Sequence, residues 1–235
     1  APTHRGVPLP PPAKNSALWV SLDDHLGAGT LVDRSAPQLT LISAGAAPLQ
    51  LKDRAGKPLI AAGRLRFSWR RVPLQESLEV ARRVAGPFAS FESADRIAQR
   101  WRATGVKADV AHPGEWEVWA QADAPDLPGV ALRDVSERIS SVVMPVLEGP
   151  TGGRTLQGPL QVEAPNGLRW NGGVLQGPFR LQPDAYGSWT LLEQLSMERY
   201  LEGVVPHEIG AGSPAAALQA QAVLARTWAL ANSHR

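Results

Sequence analysis

Residues 195–235 read LSMERYLEGVVPHEIGAGSPAAALQAQAVLARTWALANSHR and predict two short helices joined by a tight loop. Ser196 is a suitable N-cap for the first helix, since its side-chain oxygen can accept a hydrogen bond from a free backbone N–H. Glu198 then lies in the first turn, where the helix dipole favours a negative charge. Pro206 is expected to end this helix, because proline lacks the N–H that an interior position needs.

The second helix is expected to be buried on most of its faces. Ser213 and Pro214 mark its start as N-cap and first helical position, and the body that follows is almost entirely Ala, Leu, Val and Gln. The loop VVPHEIGAGSP at 204–214 would then hold one carboxylate, Glu208, between two packed helices. An acid held on a rigid and partly apolar platform suits general acid chemistry.

Two parts of this stretch carry a resemblance, YLEGVVPHEI at 200–209 and ALQAQAVLARTWA at 217–229. They resemble the family of stage II sporulation protein D (SpoIID) and the amidase enhancer LytB, whose usual run is Y-L-x-G-V-V-P-x-E-M followed by A-L-x-A-Q-A-V-A-A-R-T-Y-A. Ile209 replaces the usual Met and Trp228 the usual Tyr, and both replacements keep an apolar side chain.

The resemblance implies that the substrate class is peptidoglycan. The sporulation branch implies a lytic transglycosylase and the LytB branch a non-catalytic helper of a wall amidase, and both place the key acid at Glu208. In the first case one carboxyl protonates the glycosidic oxygen and then takes the proton of the C6 hydroxyl as the 1,6-anhydro ring closes. The alternative for Glu208 is structural, with its carboxylate satisfying backbone N–H groups at the start of the second helix.

Three neighbouring polar residues are candidate substrate-binding residues. His207 could tune the acid or contact a sugar, or it could be an ordinary exposed loop histidine. Gln221 and Arg226 project from the second helix but are five positions apart, so they do not share one tight face. Arg226 could bind a substrate carboxylate, or it could pair with Glu202 or Glu198.

The middle of the chain carries a second pattern, GPFASFESADRIAQRWRATGVKADV at 86–110. It predicts a helix capped by Ser90 or Ser93 that runs to about Thr104, with strands before and after it. Twelve residues fit the pattern of a SPOR domain, which this segment resembles: Gly86, Pro87, Phe88, Ser90, Ala94, Ala98, Trp101, Gly105, Ala108, Val110, Trp116 and Val118. SPOR domains bind peptidoglycan glycan strands that lack stem peptides, so the resemblance implies Phe91 and Trp116 as glycan contacts.

The predicted class is α+β: a mostly β scaffold with a ferredoxin-like SPOR-type insert and a C-terminal helical pair that carries the motif. Relatives continue past the equivalent of residue 235, so the last segment is expected to be the N-terminal part of a SpoIID-type domain. The predicted segments are a Pro-rich tether at 1–16, a β module at 17–78, the SPOR-like unit at 79–122, a connector at 123–154 with one packed element near 135–147, and the SpoIID-type segment at 155–235.

Composition removes several classes of function. The formal charge of +2 over 235 residues gives no general electrostatic case for nucleic acid. There is no cysteine, and the five histidines are scattered without ligand spacing, so neither a metal nor another cofactor is predicted. No apolar run is long enough to span a membrane. The Pro-rich start fits a mature extracytoplasmic protein, in the periplasm or the cell wall, and it equally fits a cytoplasmic protein with an unstructured tail.

Overall fold

The computed structural model describes residues 17–30, 38–150 and 152–232 and confirms the predicted α+β class. The predicted tether at 1–16 lies outside the described residues. The described residues form the strands β1 (Ala17–Leu26), β2 (Leu39–Ser43), β3 (Leu49–Lys52), β4 (Pro58–Ala62), β5 (Arg64–Phe88), β6 (Ala108–Ala111), β7 (Trp116–Gln121), β8 (Leu132–Leu147), β9 (Arg154–Thr155), β10 (Leu160–Glu163), β11 (Leu168–Trp170), β12 (Gly173–Leu175), β13 (Phe179–Pro183) and β14 (Trp189–Ser196). The helices are α1 (Phe91–Arg102), α2 (Met197–Ile209) and α3 (Ala215–Asn232).

The strands form two antiparallel sheets. One has six strands in the order β1-β14-β13-β10-β3-β4, and the other follows the path β12-β11-β2-β5-β7-β6, with β8 paired to β5 and β9 paired to β8. Strand β2 shows why these residues form half-buried strands: Leu39 and Leu41 are buried, whereas Thr40 between them is exposed. Alternation with a period of two residues puts all the apolar side chains on one face of a sheet.

The main core lies between the two sheets. The eight-stranded sheet contributes Leu41 and Phe67, and the six-stranded sheet contributes Leu160, Leu181 and Leu191, all of them almost completely inaccessible to solvent. Burying five such side chains stabilises the folded chain by roughly 1.5–3 kcal/mol for each. The sheets therefore pack face to face, and β2, β3 and β5, which lie in or begin in the predicted β module, all contribute to this packing.

A long two-stranded ribbon connects the predicted segments. Strand β5 is 25 residues long and pairs with β8 from Phe67↔Leu147 to Ala85↔Leu132, with a register shift between Pro73 and Leu78. The ribbon crosses the predicted boundary between residues 78 and 79 without a break, and β8 lies within the segment predicted as a connector. The expected packed element near 135–147 is thus a strand, and it is held along most of its length by β5.

The predicted helix in the middle of the chain is confirmed. Ser90 is its N-cap, accepting a hydrogen bond from the backbone N–H of Ser93 at 3.3 Å. Ala94, Ala98 and Trp101 are buried against β5, β6 and β7 in a core of their own. Trp101 also donates its indole N–H to a backbone carbonyl, that of Pro125, at 2.9 Å. This core is separate from the one between the sheets.

The ferredoxin-like arrangement predicted for this insert is not confirmed. That arrangement needs two helices on one face of the sheet, and residues 64–147, all of which the structure describes, contain α1 alone. The connection from β7 to β8, at 122–131, is irregular. Its proline and glycine residues explain the difference, because they favour turns over a second helix.

A tight hairpin joins β11 to β12, as the Asn171-Gly172 dipeptide predicts. Both residues have positive φ, 46° for Asn171 and 82° for Gly172, as a two-residue turn of the primed type requires. The register Trp170↔Gly173 places the pair at the tip. The left-handed conformation is readily adopted by glycine and tolerated by asparagine.

The two C-terminal helices form a hairpin that is attached to the six-stranded sheet. Strand β14 leads directly into α2, and the capping prediction for Ser196 is confirmed, since its hydroxyl accepts the backbone N–H of Arg199 at 3.3 Å. The residues that join the hairpin to β1 form a small cluster: Leu18, Met197, Leu201, Val205, Ala225 and Ala229. No helix in the described part of the chain has the length and apolar character needed to cross a membrane.

The prediction that the second helix is buried on most faces is wrong. Among the residues of α3 whose burial the structure describes, only Ala225 and Ala229 are buried, whereas Val223 and Leu224 are 65 % and 63 % exposed. The helix packs through one stripe against α2, so the rest of its apolar surface faces solvent. A composition that is apolar all round cannot show which faces a neighbour covers.

We expect Leu201→Ala to weaken the attachment of the helical hairpin by about 2–5 kcal/mol, the usual effect of emptying a buried leucine site. Leu201 is 5 % exposed and lies in the hairpin cluster. Amide hydrogen exchange of α2 and α3, read beside the thermal unfolding curve, measures the effect. Leu224→Ala is the matched control on the exposed side of α3 and should change stability by less than about 0.5 kcal/mol. Equal effects of the two substitutions would show that the hairpin is not held through this cluster.

Candidate functional site

Glu208 lies in the last turn of α2 and not in a loop, which corrects the prediction that Pro206 ends this helix. The helix continues to Ile209 and contains Pro206. A proline in the last turn removes the hydrogen bond that its own N–H would have donated, while Val205 beside it stays buried against the hairpin cluster. Packing of that neighbour compensates for the lost hydrogen bond, so the carboxylate is carried on a helical turn.

The end of α2 is fixed by Gly210. Its φ of 84° lies in the left-handed region that favours glycine, and its N–H donates to the carbonyl of Pro206 at 2.9 Å. Ser213, predicted as the N-cap of the second helix, donates its hydroxyl to the carbonyl of Ile209 at 2.6 Å and so ties the loop back to α2. Two hydrogen bonds from the loop that follows, one from Gly210 and one from Ser213, therefore hold the helical turn that carries Glu208.

Gln221 of α3 is the hydrogen-bond partner of Glu208. Its side-chain amide donates to the carboxylate Oε2, which joins the two helices directly. Glu208 is exposed, and within the part of the chain that the structure describes its Oε1 makes no hydrogen bond. The arrangement presents an oriented and accessible carboxylate, with one oxygen held by the protein and the other open to a substrate.

Arg226 pairs with Glu198, one of the two partners considered for it from the sequence. Its Nη2 donates to both carboxylate oxygens of Glu198, at 2.8 and 2.7 Å. Its Nε is buried without a hydrogen-bond partner among the described residues. This pair lies at the start of α2 and the Glu208–Gln221 pair lies at its end. Polar contacts to α3 are therefore made at both ends of α2. The substrate-binding role of Arg226 stays a prediction.

Of the other predicted site residues, only His207 lies beside Glu208. It is exposed in the last turn of α2. Phe91 and Trp116 contact each other edge to face, with ring centroids 5.4 Å apart, and the ring of His112 lies 4.4 Å from that of Trp116 at an angle of 51°. These rings lie at the ends of α1 and β7, on a core that is separate from the hairpin cluster. The structure therefore brings together Glu208, Gln221 and His207 but does not bring Phe91 and Trp116 to them.

Gln221 and Arg226 both lie on the side of α3 that faces α2, which was not expected from the sequence. Both belong to the stripe that faces α2, which consists of Leu218, Gln221, Ala222, Ala225, Arg226 and Ala229. The signal that could have shown this is the spacing of three and four residues that joins Gln221 and Arg226 through Ala222 and Ala225. The separation of five positions between Gln221 and Arg226, taken alone, hides it. No group of three or more acidic, histidine or cysteine side chains that could hold a metal ion occurs in residues 17–30, 38–150 and 152–232.

Comparison with known proteins agrees with this geometry. Residues 185–235 match the model of the SpoIID family, described as stage II sporulation protein. This part of the chain is therefore similar to the SpoIID family. It begins at the turn before β14 and contains the whole helical hairpin with Glu208, Gln221 and Arg226.

One curated relative is an uncharacterized protein of Brachyspira hyodysenteriae. It is 35 % identical to this chain over 65 residues, which are 28 % of this chain and 16 % of the relative. The chain thus spans about a sixth of the length of the relative it matches. No solved structure matches the chain.

A double-mutant cycle of Glu198→Gln and Arg226→Gln should give a coupling free energy of about 0.2–1 kcal/mol, the usual range for a partly exposed ion pair. The side chain of Glu198 is 71 % exposed and that of Arg226 is 43 % exposed, so solvent weakens the pair and a larger value is not expected. Urea unfolding of the four proteins measures the coupling. The same cycle with Glu202, an exposed glutamate of α2, is the control and should give no coupling. A value of zero for Glu198 as well would contradict the observed pair.

Proposed function

We propose that the protein acts on the glycan strands of peptidoglycan as a lytic transglycosylase, with Glu208 as its acid and base. The observation that carries the proposal is the exposed carboxylate of Glu208, oriented by Gln221 within the SpoIID-type segment. The family description relates this segment to sporulation and hence to remodelling of the cell wall. The site of action we propose is extracytoplasmic, because that is where the substrate lies.

The reaction divides into two proton transfers at one carboxyl. Protonated Glu208 donates its proton to the glycosidic oxygen as the bond to the sugar carbon breaks, and the sugar develops oxocarbenium character. The resulting carboxylate then accepts the proton of the C6 hydroxyl, whose oxygen attacks the same carbon and closes the 1,6-anhydro ring. No water enters the product, so a second carboxylate to activate water is not required. Oε1 is the oxygen placed to serve both steps.

The neighbouring residues would position the acid and the sugar. Gln221 holds Oε2 and so fixes the direction in which Oε1 points. His207 is exposed next to Glu208 and can donate or accept a hydrogen bond at a sugar hydroxyl. Arg226 is engaged by Glu198, so its contribution would be to hold α3 against α2.

Glu208→Gln should reduce the release of 1,6-anhydro muropeptides by about 10²–10⁴-fold, since an amide cannot transfer the proton. The measurement is muropeptide analysis of purified walls incubated with the natural full-length protein and with the variant. The melting temperature should stay nearly unchanged, because the side chain is exposed.

Glu202→Gln is the matched control: it makes the same change of charge at another exposed glutamate of α2. It should retain activity. Anhydro products that persist in Glu208→Gln, or no such products from the unmodified protein on several wall types, would show that this reaction is not the function.

A second candidate function is the stimulation of a cell-wall amidase without catalysis. The observation that favours it is the exposed apolar side of α3, where Val223, Leu224, Trp228 and Leu230 are each at least half exposed. Several exposed apolar side chains on one helix are typical of a site that binds another protein. Binding of an amidase there would bury these side chains and bring the enzyme to the wall.

The double substitution Val223→Ser and Leu224→Ser should abolish stimulation while leaving the protein folded, because both side chains are more than 60 % exposed. The assay measures the release of stem peptides from purified walls by a cell-wall amidase, with and without the protein. Ile60→Ser and Leu78→Ser, at exposed apolar positions on β4 and β5, form the control pair. Stimulation that survives in the α3 variant would exclude this surface as the amidase site.

A further inference from the structure

A cleft of about 610 Å³ lies away from the helical hairpin, between the β5/β8 ribbon and the turn that joins β13 to β14. Its volume is within the range of sites that bind small molecules. The family-matched segment begins at this turn, which contributes Ala185, Tyr186 and Ser188 to the wall. Neither of the two functions considered above uses this cleft.

Charged side chains line the cleft with an excess of positive charge. They are Arg71, Arg82, Arg133, Arg138, Glu117 and Glu137. Four arginines and two glutamates give a net charge of +2 inside a partly enclosed space, although the formal charge of the whole chain is also only +2. Low-dielectric walls focus such a field, so the cleft attracts small anions more strongly than an open surface does.

Arg82 is the most informative of these residues because only one of the two nitrogens on one edge of its guanidinium has a hydrogen-bond partner. It is 8 % exposed and its guanidinium lies 4.0 Å from the ring centroid of Trp119. Nη2 donates to Glu137 at 3.1 Å, but Nε is buried with no partner among the described residues. Nε and Nη2 form the edge of a guanidinium that binds a carboxylate or phosphate through two parallel hydrogen bonds. Glu137 is 55 % exposed at its side chain, so it can turn aside and release this edge.

The rest of the wall suits a hydroxylated molecule. Trp119 and Tyr186 meet edge to face with centroids 5.7 Å apart and form a rigid aromatic side. The hydroxyl of Tyr186 accepts the backbone N–H of His112 at 2.7 Å. Burial raises the pKa of the Tyr186 phenol above its usual range, so at neutral pH the hydroxyl stays protonated and can donate its hydrogen to a ligand. Ser140 and Ser141 add hydroxyl groups on the opposite strand.

We propose that this cleft binds a small hydroxylated anion of saccharide size, with its acidic group on the Nε–Nη2 edge of Arg82 and its hydroxyls toward Tyr186 and the serines. Arg133 and Arg138 at the rim supply further positive charge. The acidic group is a carboxylate or a phosphate, which share the geometry that a guanidinium recognises. The site is independent of Glu208, and its existence does not depend on the wall-cleaving reaction.

The test is titration of the natural protein with D-glucuronate, D-glucose 6-phosphate, inorganic phosphate and neutral D-glucose. The indole N–H of Trp119 donates to Glu117 at 2.8 Å inside the cleft, so its two-dimensional NMR signal reports occupancy, with Trp119→Phe used to assign it. We expect a saturable shift with glucuronate or glucose 6-phosphate, and none with glucose. Whichever of these two compounds binds more tightly shows whether the cleft prefers a carboxylate or a phosphate.

Two sets of variants should move the affinity in opposite directions. Arg133→Gln with Arg138→Gln should weaken binding by about tenfold or more, because two positive charges at the rim are lost. Glu137→Gln should tighten binding, because it removes the carboxylate that competes for Arg82. Arg96→Gln, an exposed arginine on α1 outside the cleft, makes the same kind of substitution at one position as a control and should leave affinity unaltered.

Three results would overturn the proposal. The first is no saturable shift with any of the anions, and the second is weakening by Arg96→Gln equal to that of the rim variants. The third is binding of inorganic phosphate as tight as that of the two sugar acids, which would remove the role given to the hydroxyl groups. Tighter binding by Glu137→Gln is a gain of function and does not arise from partial unfolding.

Discussion

Burial of the apolar faces of the two sheets against each other is the constraint on which the other features depend. Leu41, Phe67, Leu181 and Leu191 exclude water between the sheets, and one strand, β5, belongs both to this core and to the ribbon that leaves it. Because β5 continues for 25 residues, the α1 unit is built on its far half while its near half stays fixed in the sandwich. At the other end, β14 is fixed by β1 and β13, and its direction sets where α2 begins. The position of Glu208 is therefore determined by strand pairing before any contact of its own.

The local parts of this architecture could be predicted from the sequence. Alternation of apolar and polar residues identified the strands of the sandwich, the Asn171-Gly172 dipeptide identified a hairpin, and Ser90 and Ser196 identified two helix starts. In each of these cases the signal and the structure involve residues close together in the chain. The resemblance to the SpoIID family could be recognised in the same way, because the motif residues at 200–209 and 217–229 all lie on one short helical hairpin.

The features that could not be predicted depend on residues distant in sequence. The pairing of β5 with β8 joins positions that are between 47 residues (Ala85↔Leu132) and 80 residues (Phe67↔Leu147) apart. The packed element expected near 135–147 gave no sign of which strand it would pair with. The ferredoxin-like arrangement was inferred from a resemblance whose matching residues lie at 86–118, before the segment 122–131 in which no second helix forms. Burial of α3 was inferred from its apolar composition, but composition does not show which elements pack against a helix. In the described residues, α3 packs against α2 on one side and is exposed on the other. Pro206 was expected to end α2 because proline lacks a backbone N–H, but burial of the neighbouring Val205 depends on contacts with distant residues and keeps the chain helical to Ile209.

The two charged regions of the molecule differ in how the protein holds them, and the difference bears on what each can do. At the hairpin, carboxylates meet an amide and a guanidinium across two exposed helices, so solvent weakens each electrostatic contact and the groups stay free to exchange partners. In the cleft, Arg82 is buried against Trp119, and Glu117 is held by both the Trp119 indole and Arg133. Fixed and desolvated groups discriminate between ligands better than solvated ones, because a wrong ligand leaves them unpaired. The hairpin therefore suits the proton exchange with a long polymer that we propose for it, and the cleft suits the proposed selection of a small molecule.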